Sequence, residues 1–276
     1  MKVFISCDME GVCGTFSWKD FEANKERYRN LITEELLAAV RGLVDSSLPI
    51  KTIIANDAHG FGDNILSDLL PAKVHLVRGG PRDLGMMEGI DRNTDVAFFL
   101  GYHGAAGTAA SLMDHTYASS SIYRIMVNGV EMSESTINGG IAADFGVPVG
   151  LISGDWATTK QAKKFFGPET EYVVTKKGIS RFAAQLRPVE EVREELTRKA
   201  FSAASRARAL KPLRTRRPLK AVVDLCDTLR TDLVGCAPEF ERTGGRQISF
   251  RALNYVELYR KLKLLLMLAA RAKDYT

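Results

Sequence analysis

Two rhythms of apolar residues alternate along the first half of the chain. KVFIS (2–6), KTIIAND (51–57) and HLVRG (75–79) are short apolar runs, and each predicts a strand. DVAFFLGYH (95–103) is apolar without alternation, which predicts a strand covered on both faces. Between the first two runs, from Asn24 to Ser46, Ile32, Leu36, Val40, Leu43 and Val44 return at the spacing of one helix face. Strands alternating with helices predict a mainly parallel sheet within a three-layer α/β/α domain. IYRIMVNGVEMSE (122–134) predicts a hairpin, because Asn128-Gly129 accepts the left-handed dihedrals of a two-residue turn. A helix from Glu134 to Phe145, a strand VPVGLISGD (147–155) and a helix ATTKQAKKFF capped by Asp155 follow.

The pattern changes after Pro188. VEEVREELTRKAFSAASRARAL is an amphipathic helix with Val192, Leu196 and Ala200 on one side and acids at its start, where the helix dipole favours them. KPLRTRRPLK (211–220) is basic and interrupted by proline; it could meet phosphate, but a solvated linker is the simpler reading. AVVDL (221–225) and RQISFRAL (246–253) are strand candidates, and VELYRKLKLLLMLAARA closes the chain as a helix with Val256, Leu258, Leu262 and Leu265 mostly inward. The expected organisation is an α/β/α domain over 1–187 and a smaller α+β domain over 188–276.

Composition excludes some classes. The 276 residues are 45% hydrophobic, enough for a substantial core, and 38 basic against 33 acidic residues leave a net charge of +5. These charges are interspersed, so no nucleic-acid partner is expected. The apolar start of MKVFISCDMEG is too short for a signal peptide and no apolar span reaches about 18 residues, so no membrane is expected and the cytoplasm is the expected compartment. Cys7, Cys13, Cys226 and Cys236 lack CxxC spacing, which suits a reducing compartment, and Cys7 and Cys13 read as small packing residues.

In a parallel sheet the residues just beyond the strands converge on one edge. Those residues here are Asp8 and Glu10, then Asp57 and His59, then His103. Asp8 and Glu10, two apart, can face one cation together. No Lys or Arg lies between Ser6 and Trp18 to offset them, so a metal is expected, of the kind that takes mixed imidazole and carboxylate ligands. Each residue also has a plainer reading. Asp8 could cap a turn, His59 and His103 could be hydrogen-bonded loop residues, and Glu134 could be a first-turn residue favoured by the helix dipole. Glu10 has no such role, and the constellation favours a site. His75, inside VHLV, reads as structural; His115, in SLMDHTY, is open between loop filler and catalyst.

CDMEGVCG, NDAHG with Asn64 after it, RGGPRDLGMMEGID, GYHGAAGT, LMDHTY and NGVEMSE, in that order, together with ISRFAA and PEFERTGGRQISFRA, resemble the M55 family of D-aminopeptidases over nearly the whole chain. The resemblance implies a dinuclear metallopeptidase with two zinc ions, or manganese, cobalt or iron in their place. Asp8 would be the bridging ligand, Glu10, His59, His103 and Glu134 would complete the coordination, and His115 would be catalytic. It also implies a short peptide substrate and a ring-like homo-oligomer, a decamer among the closed forms, with 1–187 as the metal-binding catalytic domain and 188–276 serving oligomerisation or shaping the active site. Ser133 and Gly104 stand where the family usually has Gly and Ala, and Asp114, beside His115, could orient it. Two cations can activate water and polarise a carbonyl, with His115 as general base or oxyanion donor and Asp57 as a candidate to meet the substrate amine. The alternatives are another dimetal hydrolase, a phosphoesterase or amidase, and a non-catalytic peptide-binding protein. A phosphoesterase needs cations near the metals, and these motifs offer only Arg78 and Arg82. D or L preference stays open.

Overall fold

The chain begins in strand β1 (Lys2–Cys7) and passes through helices α1 (Trp18–Ala23) and α2 (Lys25–Val44) to β2 (Thr52–Asp57), β3 (Val74–Val77) and β4 (Val96–Tyr102). A hairpin of β5 (Ile122–Val127) and β6 (Val130–Glu131) leads to α3 (Glu134–Asp144), β7 (Val149–Gly154), α4 (Trp156–Phe166) and β8 (Glu171–Val174). A second hairpin, β9 (Lys176–Ser180) and β10 (Ala183–Leu186), precedes α5 (Val189–Ser205). The chain ends through β11 (Leu219–Leu225), α6 (Thr228–Gly235), β12 (Glu241–Arg242), β13 (Gln247–Ala252) and α7 (Tyr255–Ala269). This computed structural model describes residues 1–45 and 47–275; Ser46, the expected end of the second helix, lies outside the described residues.

Six strands form one sheet in the order β3-β2-β1-β4-β7-β8, every neighbouring pair parallel. The chain builds outward from β1 to β3, then returns to add β4, β7 and β8 on the other side. The order therefore reverses between β1 and β4, where connections leaving to opposite sides open a crevice at the carboxyl edge. β4 is buried along its whole length, as its unbroken apolar run requires.

One face of this sheet is covered by α2 and α5, with Ile32, Leu36, Leu196 and Ala200 in one core with Val3, Ile5 and Phe98. The other face packs into a core shared by α3, α4, α7 and a five-stranded antiparallel sheet, β12-β13-β11-β5-β6. The elements cross the boundary expected at residue 187. Helix α5, beyond it, packs on α2 so closely that a Cβ on Gly42 would sit 2.1 Å from the Thr197 carbonyl oxygen. Conversely, β5, before the boundary, pairs with β11. The hairpin turns at Asn128 (φ 50°) and Gly129 (φ 82°), the left-handed pair its sequence predicted. Residues 211–218 form an irregular connection from α5 to β11, consistent with a linker. Helices α1 and α6 and strands β8 to β10 had no periodic signature long enough to announce them. Among the described residues no helix is long and apolar enough to cross a membrane.

Candidate metal centre

The carboxyl ends of β1, β2 and β4 and the start of α3 deliver the candidate side chains to one crevice. After β1 the backbone turns tightly against β4: Gly11 donates its N–H to the Gly101 carbonyl at 2.7 Å, and a Cβ there would meet the Tyr102 carbonyl oxygen at 1.9 Å. Glycine at that position lets Asp8 and Glu10 turn inward, and both are buried. After β2, the Asp57 carboxylate accepts from the Asn64 N–H (2.6 Å), the Asn64 side chain (2.8 Å) and the Ile65 N–H (2.8 Å). It is fully committed to shaping the loop that presents His59. Asp57 is thus a loop anchor rather than the group expected to meet a substrate amine.

After β4, His103 donates from Nδ1 to the Gly104 carbonyl at 3.0 Å, and His115 donates from Nδ1 to the Met113 carbonyl at 2.9 Å. Both rings are then fixed with Nε2 facing the crevice. The loop that carries His115 holds Ala110, Met113 and Tyr117 at positive φ (56°, 49° and 61°), a costly backbone for side chains with a Cβ. It is tied down by Asp155: while one oxygen caps α4 through the Thr158 N–H, the other accepts from Ser111 Oγ and the Leu112 N–H, each at 2.7 Å. Glu134 opens α3 directly after Ser133, whose hydroxyl and backbone form a reciprocal cap with Thr136.

Asp8 lies at the centre of the result. Its Oδ1 is 3.3 Å from His59 Nδ1, which is 3.1 Å from Glu10 Oε2. Its Oδ2 is 3.3 Å from His103 Nε2, which is 3.5 Å from Glu134 Oε2. His115 stacks on His103 with ring centroids 4.0 Å apart, and its Nε2 lies 3.6 Å from Glu134 Oε1. The six predicted residues Asp8, Glu10, His59, His103, His115 and Glu134 therefore meet at one place, whereas His75 is exposed on the edge strand β3. Asp114 points away, accepting from the Gly107 N–H at 2.7 Å and pairing with Arg181, so it does not orient His115.

Burial alone would raise the Glu10 and Glu134 carboxyls, but His59 beside the first and His103 beside the second hold both below the ordinary carboxylate value. Burial likewise opposes charge on the two imidazoles, and Glu10, Glu134 and Asp8 overcome it, raising His59 and His103 well above an ordinary histidine. Protons and cations thus compete for the same atoms. Asp8 Oδ2 and His103 Nε2 are buried and, among the described residues, have no hydrogen-bond partner. Desolvated lone pairs facing each other are costly unless a cation satisfies them, and carboxylate with imidazole suits zinc-like ions, so the residues fit a metal. Ligand atoms of Asp8, Glu10 and His103, and of His103, His115 and Glu134, lie within 4.8 Å of one another.

Several residues had given no signal. Trp18 donates its indole N–H to Glu10 Oε1 at 2.7 Å and packs edge-on against His115. Lys176, fully buried at the start of β9, donates to backbone carbonyls of the Asp8–Thr15 loop, so a positive charge does stand behind the acids, supplied from far along the chain. Glu35 of α2 accepts from the Cys13 N–H at 2.6 Å, and burial raises its pKa to about 7. The crevice opens into a cleft of about 480 Å³ whose far walls include Arg82, Tyr117 and, from α7, Tyr259 and Leu266.

Residues 1–264 match the peptidase M55 family, described as D-aminopeptidase. The chain belongs to that family. A D-aminopeptidase of Bacillus subtilis (strain 168) is 27% identical over 277 residues, covering 98% of each chain. The solved zinc-dependent D-aminopeptidase DppA from Bacillus subtilis, a self-compartmentalizing protease, superposes with a TM-score of 0.92 at 26% identity, again over 98% of both chains. The resemblance carried by the motifs is borne out, and so is the α/β architecture. As a member of the M55 D-aminopeptidase family the chain is a metallo-aminopeptidase, the first of the expected functions.

Proposed function

We propose that the protein removes an N-terminal D-residue from short peptides, with two divalent cations held in the crevice. Asp8 carries this reading: it offers one oxygen to the pair of Glu10 and His59 and the other to the pair of His103 and Glu134. Asp8, Glu10 and His59 would hold one cation; Asp8, His103 and Glu134 would hold the other. The zinc dependence of the solved relative supports zinc, and manganese, cobalt and iron accept the same donors. Bound there, the cations would supply Lewis acidity toward the scissile carbonyl and make water acidic enough to attack near neutral pH.

The chain's own groups position and protonate. His115, its Nδ1 spent on Met113, has Nε2 to take a proton from the attacking water as general base and to return it to the departing amine. Trp18 fixes Glu10 Oε1 and turns Oε2 toward His59. Tyr259 and Leu266 join Tyr117 in keeping the cleft walls partly apolar, and through these two residues we assign a site-shaping role to the segment after residue 187. Among the described residues Arg82 is the one lysine or arginine lining the cleft, and its Nη1 donates to Asn56 Oδ1 (2.9 Å) and the Asp57 carbonyl (2.8 Å). A fixed positive charge facing the same cleft as the carboxylates suits a short zwitterionic peptide.

The self-compartmentalizing character of the relative supports a closed homo-oligomer here, a ring such as a decamer. The four cysteines are free, which supports the cytoplasm as the compartment. Metal analysis of the purified protein, followed by paired assays on D- and L-aminoacyl dipeptides, tests the whole reading. We expect two zinc ions per chain and chelator-sensitive release of the D-residue. Turnover that survives complete metal removal would overturn it.

A further inference from the structure

The backbone between Glu10 and Thr15 turns its carbonyls away from the crevice and toward a single point. The carbonyls of Glu10, Val12 and Thr15 lie 2.6, 2.7 and 2.8 Å from Lys176 Nζ, and Thr15 Oγ1 completes the shell. Thr15 Oγ1 donates in turn to the Glu10 and Val12 carbonyls, each at 2.8 Å, so its lone pair is left for the ammonium. The adjoining Thr175 hydroxyl holds the intervening Gly11 carbonyl at 2.6 Å. Converging carbonyl dipoles repel one another, and a cation placed among them relieves that repulsion. Here the cation is covalent: Lys176 is fully buried and belongs to a strand more than a hundred residues away.

We propose that Lys176 is a positioning residue for the metal centre, an internal ammonium that gathers the backbone of the Glu10–Thr15 loop and thereby aims Glu10 at His59 and at the cation that pair would hold. This inference rests on the metal-ligand assignment above. Drawing the Glu10 carbonyl to one side leaves its side chain on the other, against Trp18 and His59. Without the ammonium, the Thr15 carbonyl loses its donor and the Glu10 and Val12 carbonyls keep only their hydrogen bonds from Thr15, the loop turns its peptide groups toward solvent, and Glu10 leaves its place.

Trp18 reports on this geometry directly, and with Trp156→Phe as background it is the sole tryptophan in the sequence. In that background, zinc affinity is measured by chelator competition together with Trp18 emission. Lys176→Met is expected to lower affinity for one zinc at least tenfold while the other is retained, and to abolish the emission change on zinc binding. In Lys176→Ala, propylammonium, which replaces the missing part of the side chain, is expected to restore most of the affinity, and tetramethylammonium at equal ionic strength is not. Thr175→Val, nearly isosteric, should weaken the same zinc several-fold and decides the matter if neither Lys176 variant folds. Unchanged affinity and emission in a folded Lys176→Met, equal rescue by both ammonium ions, or an unchanged Thr175→Val where the lysine variants fail to fold would overturn the proposal. Failure of the parent protein to bind zinc would instead overturn the metal assignment itself.

Discussion

At the scale of single residues, the crevice combines groups that touch one another with groups that only hold them. His115 touches Glu134 and His103 but has its Nδ1 fixed elsewhere, so it can act on substrate without being needed for metal. His115→Ala should therefore lower kcat by about 10²–10⁴-fold while zinc content stays the same. Loss of zinc together with activity would move His115 into the ligand set. Glu35 behaves differently, because burial raises its pKa from an ordinary 4.5 to about 7. Below pH 4.5 the folded and unfolded chains both carry the proton; between 4.5 and 7 only the folded chain keeps it, so stability falls as pH rises through that window. The fall amounts to about 3 kcal/mol and persists above pH 7. Glu35→Gln should remove it: urea unfolding at pH 5 and pH 8 should show the variant gaining on the parent by roughly that amount. Parallel pH profiles for the two proteins would show that Glu35 ionises normally.

At the scale of elements, two contacts make the site depend on helices outside it. Gly42 allows α2 to meet α5, and a Cβ there would lie 2.1 Å from a backbone oxygen that cannot swing aside. Gly42→Ala should force the helices apart and cost about 1–3 kcal/mol in denaturant unfolding, with zinc content unaffected. Asp155 joins α4 to the His115 loop through opposite oxygens of one carboxylate. Asp155→Asn can keep the α4 cap with its carbonyl, but its amide then faces the Leu112 N–H, donor against donor. We expect a roughly 10–10²-fold drop in kcat with zinc retained, as for other displacements of about 1 Å in a reacting group. A variant as active as the parent would show that the loop is held by its own backbone. Gly104, where an alanine is common in the family, fits the same packing, since a Cβ there would lie 2.7 Å from Ser111 Oγ.

At the scale of the molecule, a site assembled from three strand ends and a helix start exists only when the sheet is formed, so metal and fold should stabilise each other. Zinc at about a thousand times its Kd adds roughly 4 kcal/mol per site, and chelation should lower the melting temperature by about 10 °C. A melting curve indifferent to chelator would show that the cations contribute nothing to folding. Much of this was legible from one-dimensional pattern. Strands β1, β2 and β4, helices α2, α3, α5 and α7 and the Asn128-Gly129 turn follow from local periodicity and dihedral preference, and parallel strands oblige the residues after them to converge. That is why Asp8, Glu10, His59 and His103 could be named together, while His115 and Glu134 took their roles from the resemblance. Asp57 was misjudged because an acid at a strand end looks the same whether it faces a ligand or its own loop. Trp18, Lys176 and Glu35 were invisible for a related reason: what they do depends on which carbonyl, carboxylate or amide comes to lie beside them. Pattern reports how a residue relates to its neighbours in sequence, whereas pairing across more than a hundred positions is decided only when the chain closes on itself.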